Sequence, residues 1–348
     1  QDNGEANDYY YRRFFGGKKR EDHVGIRNLG CICYMNSMVQ QFFMTSSFRY
    51  NLLNVTDNKP AKTNNSYGYD DNILHQIQRM FSFLELSDRE DYNPERFCFS
   101  YKDWDGNPVN VRVQQDSQEF LNRFLDLMEN NIKPTPNKYL VNSVFGGKTC
   151  SQIICEGCDR VNNKFEVFLN LSLEVRSLSS LDASLEKFIL PEKVDNFFCE
   201  KCNKKVTITK RSSIAELPNV LIIYLQRLGY NYETDRNEKI NSRMEFPKEL
   251  NLKKYSIEEL MKKNVSSRSN GTETFIETDD MYFKSDIYYE YDLVGVNVHI
   301  GSADSGHYFS YINTIRDGEK NLGKFDRGNS DHKTSWLKFN DSHISKFK

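Results

Sequence analysis

Two Cys-x-x-Cys pairs, CEGC at Cys155–Cys158 and CEKC at Cys199–Cys202, restrict the fold of this chain more than any other feature. Each pair is short enough for both sulfurs of one turn to reach a single ion. With 40 residues between the pairs, a shared tetrahedral site would force two distant turns to meet at one point. The other four of the eight cysteines (Cys31, Cys33, Cys98 and Cys150) lack this spacing. A disulfide framework is the alternative, and it calls for an oxidising compartment. The first 20 residues, QDNGEANDYYYRRFFGGKKR, contain no apolar run of the kind a secretory leader carries. The expectation is therefore an intracellular, reducing setting and a zinc–thiolate site. Four thiolates leave no open position for a reacting water, so the zinc would be structural and the chemistry must lie elsewhere.

Charge and hydropathy narrow the function further. A net charge of −2 offers no bulk attraction to nucleic acid or to an anionic membrane. No apolar run approaches the roughly 18 residues that a membrane span needs. Hydrophobic residues make up only 38% of the chain, but 24 Phe and 20 Tyr can supply a core. A start at Gln1 suggests a domain cut from a longer chain, with monomeric behaviour as the default expectation. Residues 1–23 read as a flexible lead. From 24 to about 140 the periodicity is helical, most clearly at 116–130. There Asp116 can cap, Glu119 holds the capping-box position, and Phe120, Leu121, Phe124, Leu125 and Met128 share one face. From about 145 to 250 the pattern is that of strands. KFEVFLNLSLEV (164–175) alternates, VTITKRSSI (206–214) is β-prone, and VLIIYL (220–225) suits a buried strand. Residues 256–285 have few apolar anchors and read as a mobile insertion. Strands resume at YDLVGVNVHI (291–300), HYFSYI (307–312) and WLKFND (336–341), and polar loops occupy 56–72 and 316–334.

The segment GIRNLGCICYMNS (Gly25–Ser37) supplies a candidate nucleophile. Met35, Met38, Val39, Phe42 and Phe43 follow at helical spacing, which places Cys33 at a helix N-terminus. Unpaired N–H groups and the helix dipole would favour a thiolate there. Cysteine catalysis also needs a base, an orienting group and oxyanion donors. His307, in SADSGHYFSYI, sits between a small-residue turn and a strand. FND at 339–341 offers Asn340 or Asp341 to orient the imidazole. Asn28 could donate its side-chain amide to the oxyanion. His299, in VNVHI, is the rival base, but it reads as a buried, hydrogen-bonded core histidine.

These motifs together resemble the ubiquitin-specific proteases, the papain-like deubiquitinases. GIRNLGCICYMNSMVQ is similar to their cysteine box, and GHYFSYI with WLKFND to their histidine box. QQDSQEF (114–120), the Cys pairs, LPNVLIIYLQR (217–227) and KINSRMEFPKELNL (239–252) occur between them in family order. The likeness spans roughly residues 24–347 and is strongest to the very large fat-facets-type members. It implies an α+β papain-like fold with a helical thumb (24–144), zinc-tied β-fingers (145–215) and a β-sheet palm (216–348, with the 256–285 insertion). It further implies Cys33 as nucleophile, His307 as general base, Asn340 as third triad member with Asp341 assisting, and Asn28 as oxyanion donor. Cys155, Cys158, Cys199 and Cys202 match the zinc ligands. Asp116, Gln118 and Glu119 match groups beside the ubiquitin tail, whose arginines carboxylates would pair. Gly306 and Tyr308 would line a passage narrow enough to admit only Gly-Gly.

The chain departs from the family at Cys31 and Ile32, where Asn or Ala and then Thr are usual. Neither is a triad position, although Cys31 adds a second thiol beside the nucleophile. The implied activity is hydrolysis after the C-terminal glycine of ubiquitin, with ubiquitin and ubiquitinated proteins as partners in the cytoplasm or nucleus. The alternative is a ubiquitin-binding module without catalysis.

Overall fold

Between Cys33 and Phe43 the sequence CYMNSMVQQFF carries Met35, Met38, Val39, Phe42 and Phe43 at helical spacing, and its polar residues Asn36, Ser37, Gln40 and Gln41 are uncharged, so a helix here can be internal. In the computed structural model, which describes residues 23–57, 71–158, 160–233, 235–267, 284–303, 305–314 and 336–347, it is. Ten of the 11 residues of α1 (Cys33–Phe43) are buried, Gln41 alone excepted. The expected lead (except His23), most of the 56–72 loop and all of the 316–334 loop lie outside the described residues.

The chain divides into two compact units, residues 1–141 with 294–348 and residues 142–293. The first unit opens with β1 (Gly25–Ile26), then α1, α2 (Ser46–Leu53), α3 (Ile73–Leu86), β2 (Asp91–Tyr92), α4 (Glu95–Ser100) and α5 (Ser117–Ile132). α5 starts where the cap pattern predicts, with Asp116 Oδ1 accepting the Gln118 N–H at 2.9 Å. Its predicted face, Phe120, Leu121, Phe124, Leu125 and Met128, is buried. Phe124 ties the helices together. Its ring lies 4.9 Å from Phe42 of α1, 5.6 Å from Phe120 and 6.3 Å from Phe97 of α4. Glu119 stays exposed, and no bond back to the Asp116 N–H is seen among the described residues, so the cap is a single Asp rather than a box.

α6 (Leu140–Phe145) leads into the second unit, which holds β3 (Gly147–Cys155), β4 (Val161–Phe168), β5 (Leu171–Glu174), α7 (Leu181–Ile189), β6 (Glu192–Cys199), β7 (Lys204–Glu216), β8 (Ile223–Gln226), β9 (Leu228–Asn231), β10 (Arg236–Lys239), β11 (Glu249–Asn251), α8 (Ile257–Ser267) and β12 (Glu290–Asp292). Its main sheet is antiparallel in the order β4-β3-β7-β6. A core of Leu171, Leu173, Leu181, Leu185, Ile214, Leu252 and Tyr255 lies beneath. Three readings of this part need correction. KFEVFLNLSLEV is two strands in different sheets, broken at Leu169–Asn170, because alternation reports a strand but not its partner. VLIIYL is half-buried rather than buried, and its strand starts only at Ile223, paired in parallel with β5. The expected insertion 256–285 begins with regular structure. Ser256 is buried and bridges to Ile214, and a regular helix follows over Ile257–Ser267. Its half-buried face kept it from reading as a core helix. Residues 268–283 lie outside the described residues.

The chain returns to the first unit with β13 (Gly295–Gly301), β14 (Gly306–Asn313), β15 (Trp336–Asn340) and β16 (His343–Lys346), an antiparallel sheet in that order. YDLVGVNVHI is thus also split, at Leu293–Val294, between β12 and β13. The new sheet packs on α1. Ser310 Oγ donates to the Ser37 carbonyl at 2.9 Å, and Asn297 Nδ2 lies 3.2 Å from Met38 Sδ. The contact division falls at 141/142 and 293/294, so it places 216–293 with the sheet of the second unit and 294–348 with α1. The mixed helix-and-sheet class agrees with the α+β expectation.

Phe124→Ala is expected to lower the unfolding free energy by about 3–5 kcal/mol, because the three surrounding rings cannot close the cavity it leaves. A denaturant titration that shifts the midpoint at constant slope checks this.

Candidate active site and cysteine cluster

Cys33 is the first residue of α1, as expected, with Ile32 as N-cap and no side-chain cap. The thiol is buried. The backbone N–H of Tyr308 reaches Cys33 Sγ at 3.4 Å, so the nucleophile candidate sits against the residue that follows His307. Burial pushes the Cys33 thiol above its ordinary range. The Tyr308 N–H opposes this, the Asp341 carboxylate reinforces it, and the N–H groups of Tyr34 and Cys33 itself oppose it. The helix N-terminus does favour the thiolate, as the sequence suggested, but desolvation outweighs it. An ionised Cys33 therefore needs a base to take its proton.

His307 lies at the second position of β14, and its Nε2 is 2.5 Å from Asn340 Oδ1 on β15. An amide oxygen only accepts, so Nε2 carries the proton and donates, leaving Nδ1 as the basic nitrogen. Of the two orienting candidates, Asn340 touches the imidazole. Asp341 serves elsewhere. It occupies the two-residue turn between the paired Asn340 and His343, with φ +52, a left-handed conformation that Asp tolerates. Its Oδ2 accepts from Asn28 Nδ2 at 3.0 Å, its Oδ1 from Asn36 Nδ2 at 2.8 Å, and its carbonyl from the Ile26 N–H at 3.0 Å. Gly25 makes this close approach feasible, since a Cβ there would lie 2.4 Å from the Ser342 carbonyl oxygen. Asn28 Oδ1 accepts from the Gly30 and Ile32 N–H groups at 3.0 and 3.1 Å. The Asn28 amide is thus held rigidly, with one N–H on Asp341 and a second to give.

An open cleft of about 540 Å³ runs beside these groups, lined by Arg27, Asn28, Leu29, Asp91, His307, Asn340, Asp341 and Ser342. None of the residues expected to contact a substrate tail lines it. Those residues lie instead at the start of α5 and of β14. Asp116 and Gln118 are half-buried in the cap, and Glu119 is exposed on the first turn. Gly306 has no room for a side chain, since a Cβ would lie 2.3 Å from His299 Nε2 and 2.2 Å from the Ile300 carbonyl oxygen. The Tyr308 ring is buried beneath, 4.4 Å from the His299 ring. Burial and then the Asp116 carboxylate push its hydroxyl up to about 12, while Ser117 opposes them. His299 is half-buried rather than buried, with Gln114 Nε2 3.5 Å from its Nε2. Asn36, Gln114 and Gln115 were not singled out in the sequence. Asn36 could have been, as a polar residue one helical turn beyond Cys33 on a buried face.

In the second unit, Cys155 ends β3, Cys199 ends β6, and Cys158 and Cys202 lie in the turns that follow. The four sulfurs lie within 4.8 Å of one another. Cys155–Cys202 is 3.7 Å and Cys158–Cys199 is 3.8 Å. A tetrahedral ion with sulfurs at about 2.3 Å requires S···S distances of about 3.8 Å, so the cluster can hold a metal.

The fold and both clusters belong to one class of protein. Residues 24–348 match the family described as ubiquitin carboxyl-terminal hydrolase, and the chain is a member of it. It is 34% identical over 330 residues to ubiquitin carboxyl-terminal hydrolase 24 of Homo sapiens, covering 93% of this chain and 12% of that protein. It is 32% identical over 376 positions to the Homo sapiens hydrolase 9Y, covering 96% and 14%. It is 30% identical over 379 positions to the probable hydrolase FAF of Drosophila melanogaster, covering 96% and 13%. The fat-facets likeness seen in the motifs therefore holds, and the chain spans only 12% to 14% of these relatives. Among solved structures, the SAGA Ubp8/Sgf11/Sus1/Sgf73 DUB module bound to ubiquitin aldehyde shares the fold. The TM-score is 0.68 at 22% identity, over 100% of this chain and 73% of that one. Among the described residues no helix is long and apolar enough to cross a membrane.

A burial-raised thiol predicts how Cys33 reacts with iodoacetamide as pH varies. In His307→Ala the alkylation rate near neutrality is expected to fall, and its rise with pH to shift to higher pH than in the wild type. Superimposable profiles for the two proteins would contradict His307 as proton acceptor.

Proposed function

We propose that this chain is the catalytic region of a thiol-dependent deubiquitinase, hydrolysing the isopeptide or peptide bond after the C-terminal glycine of ubiquitin. The observation that carries the reading is the set of contacts joining Cys33, His307 and Asn340 within one unit of a chain from this family. His307 Nδ1 takes the Cys33 proton, and Asn340 holds the imidazole and supports its charged form. The thiolate attacks the terminal glycine carbonyl. The second N–H of Asn28 and backbone N–H groups at the start of α1 stabilise the oxyanion, with Asp341 as the anchor that keeps Asn28 aimed. His307 then protonates the leaving lysine amine, which departs through the cleft that His307 lines. Water attacks the thioester with His307 again as base, and Cys33 is released.

The substrate's Leu-Arg-Leu-Arg-Gly-Gly tail would approach from the other side of His307. Asp116, Gln118 and Glu119 stand at the start of α5 to meet its arginines, and Gly306 marks where only glycine fits. The cysteine cluster is read as a structural zinc site. Its donors are all thiolates and they fill the coordination shell, so the ion would tie two β-turns together and take no part in the reaction. Four reduced thiols suit a cytoplasmic or nuclear setting.

Ubiquitin carrying an electrophilic C-terminus is expected to label wild-type protein at Cys33 and to leave Cys33→Ala unmodified. His307→Ala should lose about 10²–10⁴-fold in hydrolysis of a ubiquitin–fluorophore fusion. Binding of the probe without any labelling of Cys33 would favour a ubiquitin-binding module instead. Metal analysis should find one zinc per chain, lost in Cys199→Ser and kept in Cys33→Ser. Equal zinc in both variants would remove the cluster as the binding site.

A further inference from the structure

Gln114 and Gln115 are consecutive, yet their side chains reach the two halves of the candidate active site. Gln114 Oε1 accepts the Gly306 N–H at 2.9 Å, directly before His307. Gln115 Oε1 accepts the Tyr34 hydroxyl at 3.1 Å, directly after Cys33. The same loop is fastened once more on the nucleophile's other side, where the Val111 carbonyl accepts the Cys31 N–H at 2.6 Å. The base side is stiff as well. The His299 ring lies tilted against the Tyr308 ring and close to Gly306, and Gln114 Nε2 faces its Nε2.

At the candidate nucleophile itself, the polar contact from the β14 segment is a long one, Tyr308 N–H to Cys33 Sγ at 3.4 Å. Proton transfer from thiol to imidazole needs tighter control than that contact alone provides, since reacting atoms must come to about 3–3.5 Å in the right orientation. We infer that Gln114 and Gln115 form a brace that sets the approach of His307 to Cys33. They act as positioning residues through Gly306 and Tyr34, and need touch neither substrate nor reacting atoms. The inference rests on the deubiquitinase reading for its assay. It adds a role for two residues that stand directly before the Asp116 cap, so the loop that would meet the substrate tail also aligns the catalytic groups.

The two ends of one bond can be cut separately. Tyr34→Phe keeps the ring and its edge contact with Phe120, and Gln115→Leu removes the acceptor. Each should lower the single-turnover rate of Cys33 acylation by a ubiquitin–fluorophore fusion about 3- to 10-fold. The double variant should lose no more than either alone. Gln114→Leu should cost about 10- to 100-fold, whereas Gln114→Glu, which keeps an oxygen for the Gly306 N–H, should recover most of the rate. Ubiquitin affinity and melting temperature should stay at wild-type values throughout. The brace is overturned if the Tyr34 and Gln115 losses multiply, if Gln114→Glu is as slow as Gln114→Leu, or if the losses follow affinity or melting temperature rather than rate. Wild-type protein that is never acylated defeats the deubiquitinase reading itself, a result distinct from any of these.

Discussion

The first unit depends on burying α1 on all sides. A helix with ten of 11 residues out of water has no face left for a substrate except its N-terminal end, where Cys33 sits. In the proposed mechanism, the groups that complete the chemistry therefore come from what packs around that end. The sheet supplies His307 and Asn340, the loop before α5 supplies Gln114 and Gln115, and the β15–β16 turn supplies Asp341. The same burial that positions the thiol also desolvates it, which raises its pKa and makes a neighbouring base a requirement. Placement and reactivity are thus opposed at Cys33, and in the proposed mechanism His307 reconciles them.

Asp341 illustrates how a charged group can be enclosed without being wasted. Its carboxylate takes one amide from Asn28 and one from Asn36, and its backbone takes Ile26. These bonds join the segment before α1, the helix itself and the last hairpin. A carboxylate with both oxygens satisfied by neutral donors can hold an amide in a fixed orientation without competing for the imidazole. That division of labour, Asn340 on the histidine and Asp341 on the asparagine, could not be read from the adjacent letters N and D.

Much of the site was nonetheless legible. Cys33, His307 and the four clustered cysteines each carry a local signature: an apolar helical period after a turn, a small-residue turn before a strand, and a repeated two-residue spacing. Such patterns arise from interactions within a few residues, and local patterns survive in a one-dimensional reading. Where partners are distant, the reading failed. VLIIYL reads as a core strand because every side chain is apolar, but which faces are covered depends on β5, some 50 residues earlier in the chain. Residues 257–267 read as insertion because they open a stretch, 256–285, rich in Ser, Lys, Glu and Thr, although Leu252, Tyr255 and Ser256 at or just before its start are buried.

By itself the sequence determined the α+β class, the helix that begins at Cys33, the cap at Asp116, the thiol pairs and the family, since each rests on residue type and short-range periodicity. Only the tertiary structure decided that Asn340 rather than Asp341 meets His307, that Asp341 anchors Asn28, and that Gln114 reaches Gly306 while Gln115 reaches Tyr34. The physical reason is that a side-chain hydrogen bond is settled by about an ångström of distance and by orientation. Packing sets both across hundreds of residues, and no local pattern encodes them.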